Sequence, residues 1–177
     1  QTAVCEMATD LGFLCSYHGD ILVIEPRGKD GKPELGIVVH LDTVPYDEKE
    51  WTANPLGEIR DGKIFGRGVI DDKAAIVLAM YAMLELEEQI KPNWQIIVGS
   101  SEEGKWDDMK AYIEEGCELP KFMITIDGDG VQNGCRGYMD LELTFEREAS
   151  TNHLTDLRVI NGANNAVPGK AMAVIDE

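Results

Sequence analysis

The sequence predicts an α/β fold: a mostly parallel sheet with flanking helices, followed by the start of a smaller α+β domain. Three observations carry this. Ile37–Val39, Trp94–Gly99 and Phe122–Ile126 are short apolar runs rich in β-branched residues, the pattern of strands covered on both faces. Between them lie two helix-length segments, Ala74–Leu86 and Trp106–Glu115. Beyond Gly137 the texture changes: Leu141, Leu143 and Phe145 alternate with acids, as in an antiparallel sheet. Residues 1–137 therefore read as one domain, lacking its C-terminal part. Residues 138–177 read as the beginning of a second.

Taken in order, Ala3, Val4, Met7, Ala8 and Leu11 fall at helical spacing, and Gly12 is a stop signal. The segment opens as if already inside a helix, so residues upstream of it are expected. Ile21–Ile24 is a short strand, and the turn-rich residues Arg27–Pro33 predict a hairpin from it into Ile37–Val39. His18, ahead of Gly19-Asp20, reads as a surface histidine. Asp61-Gly62 between Ile59 and Ile64 predicts a second hairpin. Ala74–Leu86 is apolar nearly all round and predicts a buried helix. Thr151–Ile160 is compatible with a helix carrying His153 on its surface. Ala171, Ala173 and Ile175 begin a further strand, and the chain stops in mid-pattern.

Totals exclude several functions. The chain has 177 residues, and 16 Lys plus Arg against 33 Asp plus Glu give a formal charge of −17, so nucleic acid and anionic membranes are poor partners. No apolar run approaches the about 20 residues of a membrane span, and no cleavable signal opens the chain. Cys5, Cys15, Cys117 and Cys135 show no metal-binding spacing and read as reduced, mostly buried thiols of a cytoplasmic protein.

The chemistry gathers at the strand ends. Ile37–Val39 runs into His40 and Asp42, two residues apart and so on one side of an extended chain. Trp94–Gly99 ends in Glu102-Glu103, and Phe122–Ile126 ends in Asp127. Asp71 and Asp72 precede the Ala74–Leu86 helix. Each piece alone has a plain alternative: a polar surface turn for His40 and Asp42, helix capping and dipole compensation for the acids. Asp127-Gly128-Asp129-Gly130 could pass for a calcium loop, yet it lacks the later Glu and the paired helices of an EF-hand. Jointly, acids at the carboxyl ends of successive parallel strands predict one shared metal site. Mixed imidazole and carboxylate ligands suit zinc, with cobalt or manganese as alternatives.

With these residues in view, the sequence resembles the M20 family of dinuclear metallopeptidases, and within it the dipeptidase V and Xaa-His dipeptidase branch. The resemblance rests on HLDTVP at 40–45, Trp51 with Asn54-Pro55, GRGVIDDKA at 66–74, SSEEGKWDDM at 100–109, the Asp127 strand end and NNAVPGKA at 164–171. It implies the catalytic domain of a dinuclear zinc peptidase, followed by part of a lid domain. It implies that His40 is a terminal metal ligand and Asp42 holds its imidazole. Asp71 would bridge two zinc ions, Glu103 would ligate beside the general base Glu102, and Asp127 would complete the metal that His40 holds. It implies a hydrolase cleaving the amide bond of dipeptides or short N-acyl amino acids. The alternative is a non-catalytic metal-binding fragment, or an inactive relative acting as an interaction module. Relatives supply a further histidine ligand late in the chain, and neither His18 nor His153 lies in a matching motif. Association with a missing C-terminal segment, or a homodimer, is therefore expected, along with exposed apolar surface where further strands would pack.

Overall fold

A computed structural model describes residues 1–29, 31–86, 93–128, 134, 154–159 and 171–175. It divides into two compact units, 1–128 and 129–177.

The first unit is built on a five-stranded sheet. Its strands are β1 (Leu14–His18), β2 (Ile21–Glu25), β3 (Leu35–His40), β6 (Trp94–Gly99) and β7 (Phe122–Thr125), with β4 (Glu58–Arg60) and β5 (Lys63–Phe65) forming a separate hairpin. The order is β1-β2-β6-β3-β7. β6 and β7 run parallel to β3, whereas β1 and β2 are antiparallel to each other and β2 is antiparallel to β6. The sheet is thus mixed, with its parallel half confined to β6, β3 and β7.

This order corrects the expected hairpin from Ile21–Ile24 into Ile37–Val39. β2 turns back on β1 through Gly19-Asp20, and β6 inserts between β2 and β3. β2 and β3 are both too apolar for an outer position, so each takes two neighbours. β1, with mostly exposed or half-exposed side chains, takes the edge.

Every residue of β6 is buried, and its alternation sorts the core into two layers. Ile96 and Val98, with Leu22, Ile24, Ile37 and Val39, pack on α1 (Thr2–Asp10) and α2 (Ala74–Leu86) through Ala8, Ala75, Ile76, Ala79, Met80 and Met83. Ile97, with Ile21 and Val23, packs on Tyr112 of α3 (Asp107–Glu114) on the opposite face. Phe13 meets Trp94 edge-on at 5.5 Å between centroids. α2 is not buried all round: Leu78 and Tyr81 are exposed, because only one stripe of a helix can meet a sheet. Phe122, Met123 and Ile124 of β7 are also exposed. Among the described residues no helix is long and apolar enough to cross a membrane.

In the second unit, β8 (Leu154–Val159) pairs antiparallel with β9 (Ala171–Ile175). β8 replaces the helix compatible with Thr151–Ile160. Its Thr and Val favour extended backbone, and the ladder to β9 satisfies it. The alternating stretch 141–145, His153 and most of 164–171 lie outside the described residues, as does the expected domain boundary at 137.

Candidate metal centre

Parallel register sets the site. His40 closes β3 and pairs with Gly99 at the end of β6. On its other side β3 pairs with β7 through Val38 and Thr125, and continuing that register brings Asp127 level with His40. The carboxyl ends of three strands thus meet at one edge, where α/β folds place their chemistry.

His40 is buried. Its Nδ1 lies 3.1 Å from the Asp42 carbonyl oxygen and 3.3 Å from Asp42 Oδ1, so Asp42 is the natural acceptor for an Nδ1 proton. The other nitrogen, Nε2, faces acids: Asp71 Oδ1 at 2.9 Å, and Glu102 Oε2 and Asp127 Oδ2 each at 4.0 Å. His40, Glu102 and Asp127 each offer a ligand atom, all within 4.8 Å of one another. Asp71 adjoins this group through His40. Glu103 enters by its backbone, and its carboxylate lies outside the group.

Two further carboxylates hold the frame. Asp42 accepts the N–H groups of Glu102 and Glu103 at 3.1 and 2.9 Å. Asp108, at the start of α3, accepts Ser100 N at 2.6 Å, Ser101 N at 3.1 Å and Ser101 Oγ at 2.5 Å. The 100–103 segment is therefore pinned from both sides. Asp72 is fully buried and accepts the His40 N–H at 3.2 Å. Neither Asp71 nor Asp72 caps α2. α2 begins only at Ala74, and the two carboxylates turn instead to His40, Asp71 to Nε2 and Asp72 to the backbone N–H; both residues have non-helical backbone angles in the turn before the helix. Gly68, at φ +79°, lets this turn close: a Cβ there would overlap Lys73 Nζ and Thr43 Cγ2.

Crowded acids shift one another. Burial pushes Asp72 up to about 6, although the His40 N–H bond opposes it. Burial also raises Glu102, and the charges of Asp127, Glu103 and Asp42 add to it against the pull of His40. Burial lowers His40, but Glu102, Asp42, Asp72 and Asp71 outweigh it and hold the imidazole above its ordinary value. A nitrogen and several oxygens converging from separate elements, and burdened with mutual repulsion, are a donor set that a divalent cation fits. A cavity of about 120 Å³ adjoins the cluster, walled by Val38, Thr125, Trp106 and Met109.

Residues 36–157 match the family model described as peptidase family M20/M25/M40. The chain belongs to this family. It is 33% identical over 152 residues to a Beta-Ala-Xaa dipeptidase of Lactobacillus delbrueckii subsp. lactis, covering 82% of this chain and 32% of that protein. It is also 33% identical over 142 residues to a succinyl-diaminopimelate desuccinylase of Caulobacter sp. (strain K31), covering 72% and 37%. Human carnosine dipeptidase 1 superposes with a TM-score of 0.59 at 20% identity, over 72% of this chain and 32% of that one. A metallo-carboxypeptidase from Sulfolobus solfataricus of the same family does so at 0.58 and 21% identity, over 73% and 32%. These two likenesses show the fold. The chain spans about a third of the length of the curated relatives it matches.

Sequence reasoning passed over Asp72 and Asp108 as site-building residues. The excess of two aspartates ahead of α2 was a signal for Asp72. Nothing distinguished Asp108 from an ordinary acid in a first helical turn.

Proposed function

We propose that this chain carries the metal-holding face of a hydrolase that cleaves the amide bond of dipeptides or short N-acyl amino acids. The observation that carries this reading is the position of Glu102. Its Oε2 lies 4.0 Å from His40 Nε2, at the acidic cluster, while Asp42 holds its backbone. The names of the relatives, a dipeptidase and a desuccinylase, supply the substrate class.

His40, Asp71 and Asp127 would hold two zinc ions, with cobalt or manganese as alternatives, and Glu103, whose carboxylate lies outside the cluster, would turn inward to join them. When bound, such ions supply Lewis acidity, making a water more acidic and drawing charge from an amide carbonyl. The remaining work belongs to the side chains. Glu102, held above its ordinary value by burial, takes a proton at Oε2 from the water attacking the carbonyl carbon. It returns that proton to the departing nitrogen as the C–N bond breaks. Asp42 keeps the imidazole in the tautomer that leaves Nε2 free, and the same carboxylate fixes where Glu102 and Glu103 begin.

The test is Glu102→Gln in the native full-length protein. Dipeptide hydrolysis should fall by about 10²–10⁴-fold while zinc per chain, by elemental analysis, stays constant. An unchanged rate would remove Glu102 as the base. A wild-type protein that holds zinc but turns over no dipeptide or acyl amino acid would make the chain a binding module.

A further inference from the structure

Away from the acidic cluster, α1 and β1 bring two thiols together. Cys15 Sγ approaches the Cys5 carbonyl oxygen to 3.6 Å, which brings the two cysteines side by side. Thr9 Oγ1 donates to the Cys5 carbonyl at 2.8 Å. Both cysteines are partly exposed and sit at the rim of the core layer that holds Ala8 and Phe13. With the Cys15 sulfur against the Cys5 backbone, side-chain rotation and a small approach would bring the sulfurs to the about 2.05 Å of a disulfide. Cys117 differs: its Sγ is 3.5 Å from His18 Nδ1.

We propose that Cys5 and Cys15 form a redox-active dithiol that closes to an intramolecular disulfide by exchange with a low-molecular-weight disulfide such as oxidised glutathione. The Cys5 thiolate attacks one glutathione sulfur, the glutathione S–S bond breaks, and the released thiolate takes up the proton Cys5 gave. Cys15 then loses its proton and attacks the Cys5 sulfur. The mixed disulfide breaks, and the second glutathione leaves as a thiol carrying that proton. Two protein thiols are oxidised, and one glutathione disulfide is reduced to two thiols. The order follows from the surroundings. The neighbouring Cys15 thiol holds Cys5 below its ordinary value, whereas burial pushes Cys15 up to about 11. Cys5 is thus the attacking thiol and Cys15 the resolving one. The bridge would tie α1 to the edge strand of the sheet.

The full chain, folded, is equilibrated in glutathione redox buffers, quenched by alkylation and digested after glutamate, which separates the two cysteines at Glu6. The expected product is the peptide Gln1–Glu6 joined by a disulfide to Met7–Glu34, since Pro26 blocks cleavage after Glu25, with Cys117 alkylated. Its equilibrium constant should be at least about tenfold larger in native buffer than in urea, equal to about 30 mV for a two-electron couple. In Cys15→Ser, Cys5 should retain a stable glutathione adduct. Equal constants in native buffer and urea would overturn the proposal, as would wild-type chain that accumulates glutathione adducts without the joined peptide.

Discussion

The Asp42 carboxylate accepts the backbone N–H groups of both Glu102 and Glu103, at 3.1 and 2.9 Å, from sixty residues away in the chain. Its Oδ1 also lies 3.3 Å from His40 Nδ1. One side chain thus joins the end of β3 to the loop after β6. Asp42→Ala leaves two loop donors without their acceptor and should cost ~2 kcal/mol of unfolding free energy by urea titration. It should also change the visible spectrum of cobalt bound to the site, since both the imidazole and the loop are released. A variant with wild-type stability and an unchanged cobalt spectrum would show that the contact positions nothing.

Metal uptake should release protons. His40 is held above its ordinary value by the acids around it, so without metal it stays protonated to higher pH than a free histidine. A cation at Nε2 must displace that proton. Apparent affinity should therefore be flat above the raised value and fall about tenfold per pH unit below it. Calorimetry in buffers of different ionisation enthalpy measures the protons released. Zinc affinity independent of pH between 5 and 8 would show that His40 is not a ligand.

Asp108 gives the fold an acid-sensitive contact. Burial raises it, but the bonds from Ser100, Ser101 and Met109 prevail and hold it below the ordinary 3.8. A lowered folded value means that its stabilisation is present above 3.8 and lost as pH falls through the lower folded value. Asp108→Asn should therefore cost about 2 kcal/mol at pH 7. The gap from wild type should narrow below pH 3.8 in urea titrations at successive pH values. A gap that stays constant into acid would mean that the charge contributes nothing.

Individual strands and the ends that matter were legible in the sequence, because uninterrupted apolar runs mark them: Ile37–Val39 in β3, Ile96–Val98 in β6 and Phe122–Ile124 in β7. Strand order was less so. Nothing local in Ile21–Ile24 tells whether its partner is the next strand or one that arrives seventy residues later. Burial on two edges decided that, a property of the assembled sheet. β1 escaped notice because Leu14–His18 has neither alternation nor an apolar run. β8 was obscured by Leu154 and Leu157, whose spacing fits a helix turn as well as a strand. Around the site, His40, Glu102 and Asp127 were each named from a strand end, and the structure brings them together. The roles of Asp72 and Asp108 depend on which backbone groups lie opposite them, a tertiary fact without a local signature.

β3 lies between two parallel neighbours, and its last residue is the imidazole around which the acids gather. Side chains alternate along a strand, so a slip of β3 by one residue would swing His40 to the opposite face of the sheet. Capturing an ion at this edge would then be a proofreading event. Only a chain that has threaded β3 between β6 and β7 in the correct register presents nitrogen and carboxylates to the same point, and the ion would lock in that arrangement over its near neighbours.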